Sequence, residues 1–362
     1  MGKLRVLVID DSAYNRQAIG DILTSHPEIE VVGKAFDGEE GLKLAVQLRP
    51  DLITLDIEMP RMDGFTFLRL LMSKMPVPVI VISSHSRKQE VFRALELGAL
   101  DFIAKPGHHI SPDIAGLRDE LIAKALTVRS LERLPVQQRS SSADGDARAA
   151  AAEPAKPAIE AGRVERVVCV GASTGGPPAL EALFRALQPT PGTAYLVSQH
   201  MPEKFTHAFA ERLNRMAALN IQEAQARMVL RPGGAYVAPG GSHMEVTAGV
   251  DGEWVIRLEP RQPEDRYVPS VDRMLRSAAH WFKGSVLAAI LTGMGNDGAQ
   301  GALAVHKAGG LVIAESAETA IVFGMPKEAQ LTGAVTEMLP LPLLIDRIRT
   351  YAGVSSLSRV DS

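Results

Sequence analysis

The chain has little of what would mark it as secreted, membrane-spanning or polyanion-binding. It holds a single cysteine, Cys169, so no internal disulfide can staple it. No uninterrupted apolar run approaches the roughly 18 residues that a membrane-spanning helix needs. The opening "MGKLRVLVIDDS" leads directly into a short strand pattern without a signal-peptide core. Neither sign of charge dominates: 39 Lys and Arg stand against 42 Asp and Glu, a formal net charge of -3. That balance offers no global attraction to nucleic acid or to an anionic membrane. On these absences a cytoplasmic protein with no nucleic-acid partner and no membrane insertion is expected. Cys169 itself falls in an apolar strand pattern, where a small buried residue is expected.

At 362 residues the chain is long for one core, and two domains are expected. The break is visible in "RSLERLPVQQRSSSADGDARAAAAEPAKPAIEAG", residues 129–162, which lacks aromatic residues and is rich in Ala, Ser, Arg, Pro and Glu. Such a segment cannot bury a core, and two prolines within four residues argue against one long helix through it. On both sides short β-branched runs alternate with helical patterns, the signature of parallel α/β units. The reading is therefore two α/β domains with doubly wound parallel sheets, residues 1–128 and 163–353, joined by a flexible linker, with a polar tail at 354–362.

In the first domain the apolar runs "LRVLVID", "DLITLD", "PVIVIS" and "DFIAK" end in Asp10 with Asp11, Asp56, Ser83 and Lys105. The carboxyl ends of parallel strands converge on one crevice, so these residues meet although they are far apart in sequence. Clustered carboxylates repel unless a hard cation sits among them, and oxygen ligands suit magnesium. Any one of these acids alone reads more simply as a helix cap; four chemically pointed strand ends together do not.

The motifs "VLVIDDS", "LDIEMPRMDG", "VIVISS" and "DFIAKP" resemble, in order and spacing, the receiver domain of two-component response regulators from Leu4 to about residue 125. The resemblance implies a flavodoxin-like fold with Asp56 as phosphoacceptor. Magnesium would be held by Asp11, Asp56 and the backbone carbonyl of Glu58, with Asp10 supporting through water. Lys105, followed by Pro106, would hold a phosphoryl oxygen. Ser83 and Phe102 would be the switch residues, Phe102 lacking the hydroxyl of the tyrosine often found there. A sensor histidine kinase is the implied phosphodonor.

After residue 163 the pattern repeats. "RVVCVGASTGG", "AYLVSQH" and "SVLAAILTGMGNDG" run to Ser173, His200 and Asp297, the members of a hydrolytic triad. The chemistry needs all three: imidazole accepts the serine proton during attack, and the carboxylate fixes its tautomer and stabilises the imidazolium. The glycine-rich residues 292–298 can supply backbone donors to a developing oxyanion. Taken singly, Ser173 reads as a helix cap, His200 as a satisfied strand-end residue and Asp297 as turn chemistry. Their coincidence at three strand ends reverses that. His207, His280 and His306 lie in helical patterns, whereas His243 in "APGGSHMEV" is the main rival to His200 as base, or a substrate contact.

Two other readings have weaker support. "VGASTGG" as a nucleotide cradle lacks the G-x-G-x-x-G spacing, and a DNA-binding output lacks a compact basic helix-turn-helix pattern. "GASTG" fits G-x-S-x-G literally, yet the order Ser, His, Asp differs from that of α/β-hydrolases. The segments "VGASTGGPPAL", "VSQHMP", "APGGSHM", "PSVDRML", "LTGMGNDG" and "VFGMP" instead resemble the catalytic domain of the chemotaxis methylesterases, the CheB family of protein-glutamate methylesterases/glutaminases, over residues 163–350. The resemblance implies a Rossmann-like catalytic domain in which Ser173, His200 and Asp297 hydrolyse glutamate γ-methyl esters, or glutamine amides, on chemoreceptor cytoplasmic domains. It also implies the Met294 backbone N–H as oxyanion donor, no cofactor for hydrolysis, and a monomer. The receiver domain would cover the active-site face until Asp56 is phosphorylated.

Overall fold

A computed structural model describes residues 2–83, 88–105, 113–130 and 162–353. The chain divides into two compact units, Met1–Ala149 and Ala150–Ser362. Most of the expected linker, Pro106 and the polar tail lie outside the described residues.

The first unit runs β1 (Leu4–Ile9), α1 (Ala13–Thr24), β2 (Ile29–Ala35), α2 (Gly38–Leu48), β3 (Leu52–Leu55), α3 (Gly64–Lys74), β4 (Val79–Ser83), α4 (Lys88–Glu96), β5 (Asp101–Ala104) and α5 (Asp113–Ser130). Its five strands pair in parallel in the order β2-β1-β3-β4-β5, the flavodoxin-like arrangement. Central strands are covered on both faces, which is why β3 and β4 are buried at every residue instead of alternating. The order reverses at β1, so the crevice opens at the carboxyl ends of β1 and β3. Helix α5 continues to Ser130, slightly beyond the expected domain end.

The second unit runs β6 (Arg166–Ala172), α6 (Gly176–Ala186), β7 (Thr193–Gln199), α7 (Glu203–Met216), β8 (Asn220–Glu223), β9 (Gly234–Val237), β10 (Ser242–Ala248), β11 (Trp254–Pro260), α8 (Val271–Phe282), β12 (Val286–Ile290), α9 (Ala299–Lys307), β13 (Leu311–Glu315), α10 (Met325–Leu331), β14 (Glu337–Leu339) and α11 (Leu341–Gly353). Seven strands form a parallel sheet in the order β14-β13-β12-β6-β7-β9-β8. β6 is the point of reversal, with β7 and β9 on one side and β12 and β13 on the other. β10 and β11 form a separate antiparallel hairpin, packed with α8 over the sheet through Met244, Val246, Ile256, Met274 and Ala278. The alternation in "HMEVTA" and "WVIRLE" around "GVDGE" signals this hairpin in retrospect.

Cys169 is fully buried in β6, and burial pushes its thiol well above its ordinary range, which removes thiolate reactivity. Among the described residues no helix is long and apolar enough to cross a membrane.

Candidate functional site

In the first unit Asp10 and Asp56 directly follow the last residues of β1 and β3, and Lys105 follows β5. The Lys105 ammonium lies 2.5 Å from Asp56 Oδ2 and 3.0 Å from Asp10 Oδ2. Carboxylate oxygens of Asp10, Asp11 and Asp56 all lie within 4.8 Å of one another. Burial lifts the Asp56 carboxyl above the usual carboxylate range; the charge of Asp10 adds to the shift, and Lys105 opposes it without cancelling it. Burial works against the Lys105 charge in turn, but Asp56 and Asp10 hold the ammonium above its usual range. Among the described residues Lys105 is the cation paired with the Asp10 and Asp56 carboxylates, while Arg16 Nη1 donates to the backbone carbonyls of Asp10 and Asp11; three acids at an all-oxygen donor set fit a hard divalent ion.

Asp10 Oδ1 is already held, accepting from Ser12 N at 3.0 Å and Asn15 Nδ2 at 3.3 Å. The Glu58 N–H donates to Asp56 Oδ1 at 3.3 Å, a local side-chain turn at the start of the loop after β3. Ser83 is buried at the end of β4, and its carbonyl accepts from Lys105 N at 2.7 Å. Phe102 is buried in β5, with the Lys124 ammonium 5.6 Å from its ring centroid.

In the second unit β6 and β7 end in step: Ala172 pairs with Gln199, so Ser173 and His200 emerge side by side. The next turn of chain carries Gly175 at φ +77°, in the left-handed region, and Gly175 is the N-cap of α6. Ser173 therefore does not cap that helix. Pro177 and Pro178 lie in the first turn, where a missing N–H is tolerated. Ser173 N donates to Thr292 O at 3.0 Å, which ties the serine to the loop after β12. Gly293 on that loop approaches so closely that a Cβ there would lie 2.8 Å from Ser173 Cβ. Met294 is the next residue along this loop.

Asp297 differs from its expected strand-end placement. β12 ends at Ile290, and Asp297 sits at the far end of the glycine-rich loop, just before α9. The loop carries it back to the sheet edge, where Asp297 Oδ2 lies 2.8 Å from His200 Nε2. Asp297 is 3% exposed, and its carboxylate is seated on the N-terminus of α8. It accepts from Ser270 Oγ at 3.0 Å, Val271 N at 2.7 Å and Asp272 N at 2.9 Å. Free N–H groups and the helix dipole make such an end a natural seat for an anion. Burial alone would raise the Asp297 carboxyl, but His200 and the backbone donors hold it below the usual carboxylate range.

The seating is reciprocal. Asp272, in the first turn of α8, accepts from Gly298 N at 2.9 Å and Gly301 N at 2.6 Å at the start of α9. Each helix thus lends the other a capping carboxylate, which fixes the loop carrying Asp297 against α8. "PSVDRML" contained both Ser270 and Asp272, and Ser before a helical run is a capping signal. That the Ser270 hydroxyl and the Val271 and Asp272 N–H groups receive Asp297 is not visible in the sequence, because the partner is a distant loop.

Two further residues shape the site. The Tyr267 ring stacks on His200, centroids 5.0 Å apart and planes 9° from parallel, and holds the imidazole in plane. Gln199, buried in β7, donates from Nε2 to the carbonyls of both Ser173 (3.0 Å) and His200 (2.9 Å). No sequence pattern singled out either residue. Ser173 and His200 make no direct hydrogen bond among the described residues; such bonds often tighten only when substrate is present. His243 is buried and faces Asp265, not the serine.

The response regulator receiver family model matches residues 6–111, and the CheB methylesterase family model matches residues 168–348. A protein-glutamate methylesterase/protein-glutamine glutaminase of Geobacter sulfurreducens is 48% identical over 375 residues, covering 100% of each chain. Another, of Myxococcus xanthus, is 48% identical over 94% of each chain. One from Pyrococcus abyssi is 42% identical over 94% of this chain and 91% of its own. With both family models matched in sequence order and relatives aligned along nearly their whole length, the chain belongs to the CheB methylesterase family, with a response regulator receiver domain at its N-terminus.

Proposed function

We propose that the protein is a phosphorylation-activated hydrolase that removes methyl esters from glutamates on chemoreceptor cytoplasmic domains and deamidates receptor glutamines, with Ser173 as nucleophile. The carrying observation is the 2.8 Å His200–Asp297 contact next to the exit of Ser173 from the adjacent strand. Asp297, kept ionised by the N-terminus of α8, accepts from His200 Nε2, so Nε2 carries the proton and Nδ1 is the basic nitrogen.

Ser173 Oγ attacks the γ-carbonyl carbon while His200 Nδ1 takes its proton. The carbonyl oxygen becomes an oxyanion, for which the Met294 backbone N–H is the donor. Collapse passes the proton from His200 to the leaving group, which departs as methanol from an ester or ammonia from an amide. Water, deprotonated by the same nitrogen, then releases the glutamate and restores Ser173. Asp297 stays ionised throughout and stabilises the imidazolium. This half uses no cofactor.

In the receiver domain Asp56 is the phosphoacceptor and Lys105 pairs with the phosphoryl group, while Ser83 and Phe102 respond to it. Asp10, Asp11, Asp56 and the Glu58 carbonyl would hold magnesium, which neutralises charge on a transferring phosphoryl group. A sensor histidine kinase is the physiological phosphodonor, and the site of action is the cytoplasm. The test is methanol release from methylated receptor membranes with and without a small-molecule phosphodonor. Release that rises with the phosphodonor supports the reading, and no release under either condition overturns it.

A further inference from the structure

The described residues hold a second His–Asp pair, a buried His243 against a half-buried Asp265, which the mechanism does not use. His243, on β10, is 0% exposed. Its Nδ1 accepts the backbone N–H of Ser270 at 3.1 Å, so the proton sits on Nε2, which donates to Asp265 Oδ2 at 2.7 Å. Asp265 is anchored in turn by the Gln262 N–H at 2.7 Å. We propose that His243, held by Asp265, is a positioning residue that fixes Ser270 and thereby sets the place of Asp297 against His200.

Ser270 is the N-cap of α8. In a capping box the N-cap N–H is usually satisfied by a Glu or Gln three residues on. Here that position is Arg273, which has no acceptor to offer. His243 supplies the missing acceptor from another element. Ser270 Oγ accepts from Arg273 N at 3.3 Å and donates to Asp297 Oδ1 at 3.0 Å, so its hydroxyl is committed in both directions. The adjacent Val271 and Asp272 N–H groups hold the same carboxylate. A continuous chain of bonds therefore runs from Asp265 through His243, Ser270 and Asp297 to His200. An imidazole buried without solvent is tolerable because both nitrogens are satisfied. Its neutral tautomer also adds no charge beside Asp297.

The inference rests on the triad reading above, and the test separates the two. Methanol release is measured on the full chain with phosphodonor, with thermal melting as a check on folding. His243→Ala is expected to lower kcat about 10- to 100-fold with KM little changed, as displacement of a catalytic group does. His243→Asn, whose Oδ1 stands near the position of Nδ1, recovers most of the loss. His243→Gln, which reaches toward Asp265 instead, does not. In an Asp297→Ala background His243→Ala adds no further loss, since it acts through Asp297. An equal loss in both backgrounds, rescue by Gln but not Asn, or no loss at all overturns the inference. Ser173→Ala is the control: activity that survives it sinks the triad reading itself, whereas its abolition together with a silent His243→Ala sinks only the positioning role.

Discussion

Asp56 and Asp297 are both buried carboxylates at the carboxyl edge of a parallel sheet, yet their environments move them in opposite directions. Asp56 is lifted above the ordinary carboxylate range and Asp297 is held below it. The difference lies in what faces them. Asp56 shares one lysine with Asp10, so part of its charge remains uncompensated. Asp297 receives a hydroxyl, two backbone N–H groups and an imidazole N–H, with no second carboxylate sharing those donors. An under-neutralised acid suits a site that takes up a cation and a phosphoryl group. A saturated acid suits a residue that must stay ionised and still while a neighbouring imidazole takes up and returns a proton. The same fold class thus yields two chemistries through the donors at its strand ends.

The largest expected effects fall on the second site. His200→Ala is expected to lower kcat on the order of 10^4- to 10^6-fold in a methanol-release assay, the range for loss of a triad base. Asp297→Asn removes the acceptor that fixes the tautomer, and a fall of about 10^4-fold is expected. A comparable loss from Asp56→Asn with phosphodonor absent would erase the distinction between the sites, because that substitution is expected to abolish only the phosphodonor response. Gly293→Ala places a Cβ against Ser173 and Met325, and displacement of the serine by that overpacking is expected to lower kcat about 100-fold.

The smallest effects concern stability, and they run in opposite senses. The folded state raises the Asp56 pKa above 3.8, so ionised Asp56 disfavours folding, and stability falls as pH rises from that value through the folded one. Asp56→Asn, measured without magnesium, should raise the melting temperature at neutral pH by about 2–4 °C. The folded state lowers the Asp297 pKa, so its contribution is present above 3.8 and is lost as pH falls through the folded value. Asp297→Asn should lower the melting temperature at neutral pH by a similar amount. Calorimetry showing shifts of the same sign would break the comparison.

The two sites also differed in how much of them could be read from the sequence. Asp10, Asp56, Lys105, Ser173 and His200 sit at or just after the ends of apolar strands, so the strand pattern alone places them. Asp297 was expected at a strand end and lies instead on a loop, because the glycines of "TGMGNDG" let the chain turn back before α9. The donors that fix it come from α8, and the histidine that fixes those donors comes from the β10–β11 hairpin. Strand periodicity carries no information about such long-range pairings. His243 stood out in the sequence as a rival base, yet its depth and its partner assign it to support. Gln199 and Tyr267 carry no motif, and only the paired ends of β6 and β7 and the packing around His200 reveal what they touch.

The most direct test of the hydrolase account is Ser173→Ala in the full chain, assayed for methanol release from methylated receptor membranes while phosphorylation of Asp56 is followed in the same sample. The account predicts that methanol release is abolished and that phosphorylation proceeds as in the unaltered protein. Methanol release at the unaltered rate would contradict it.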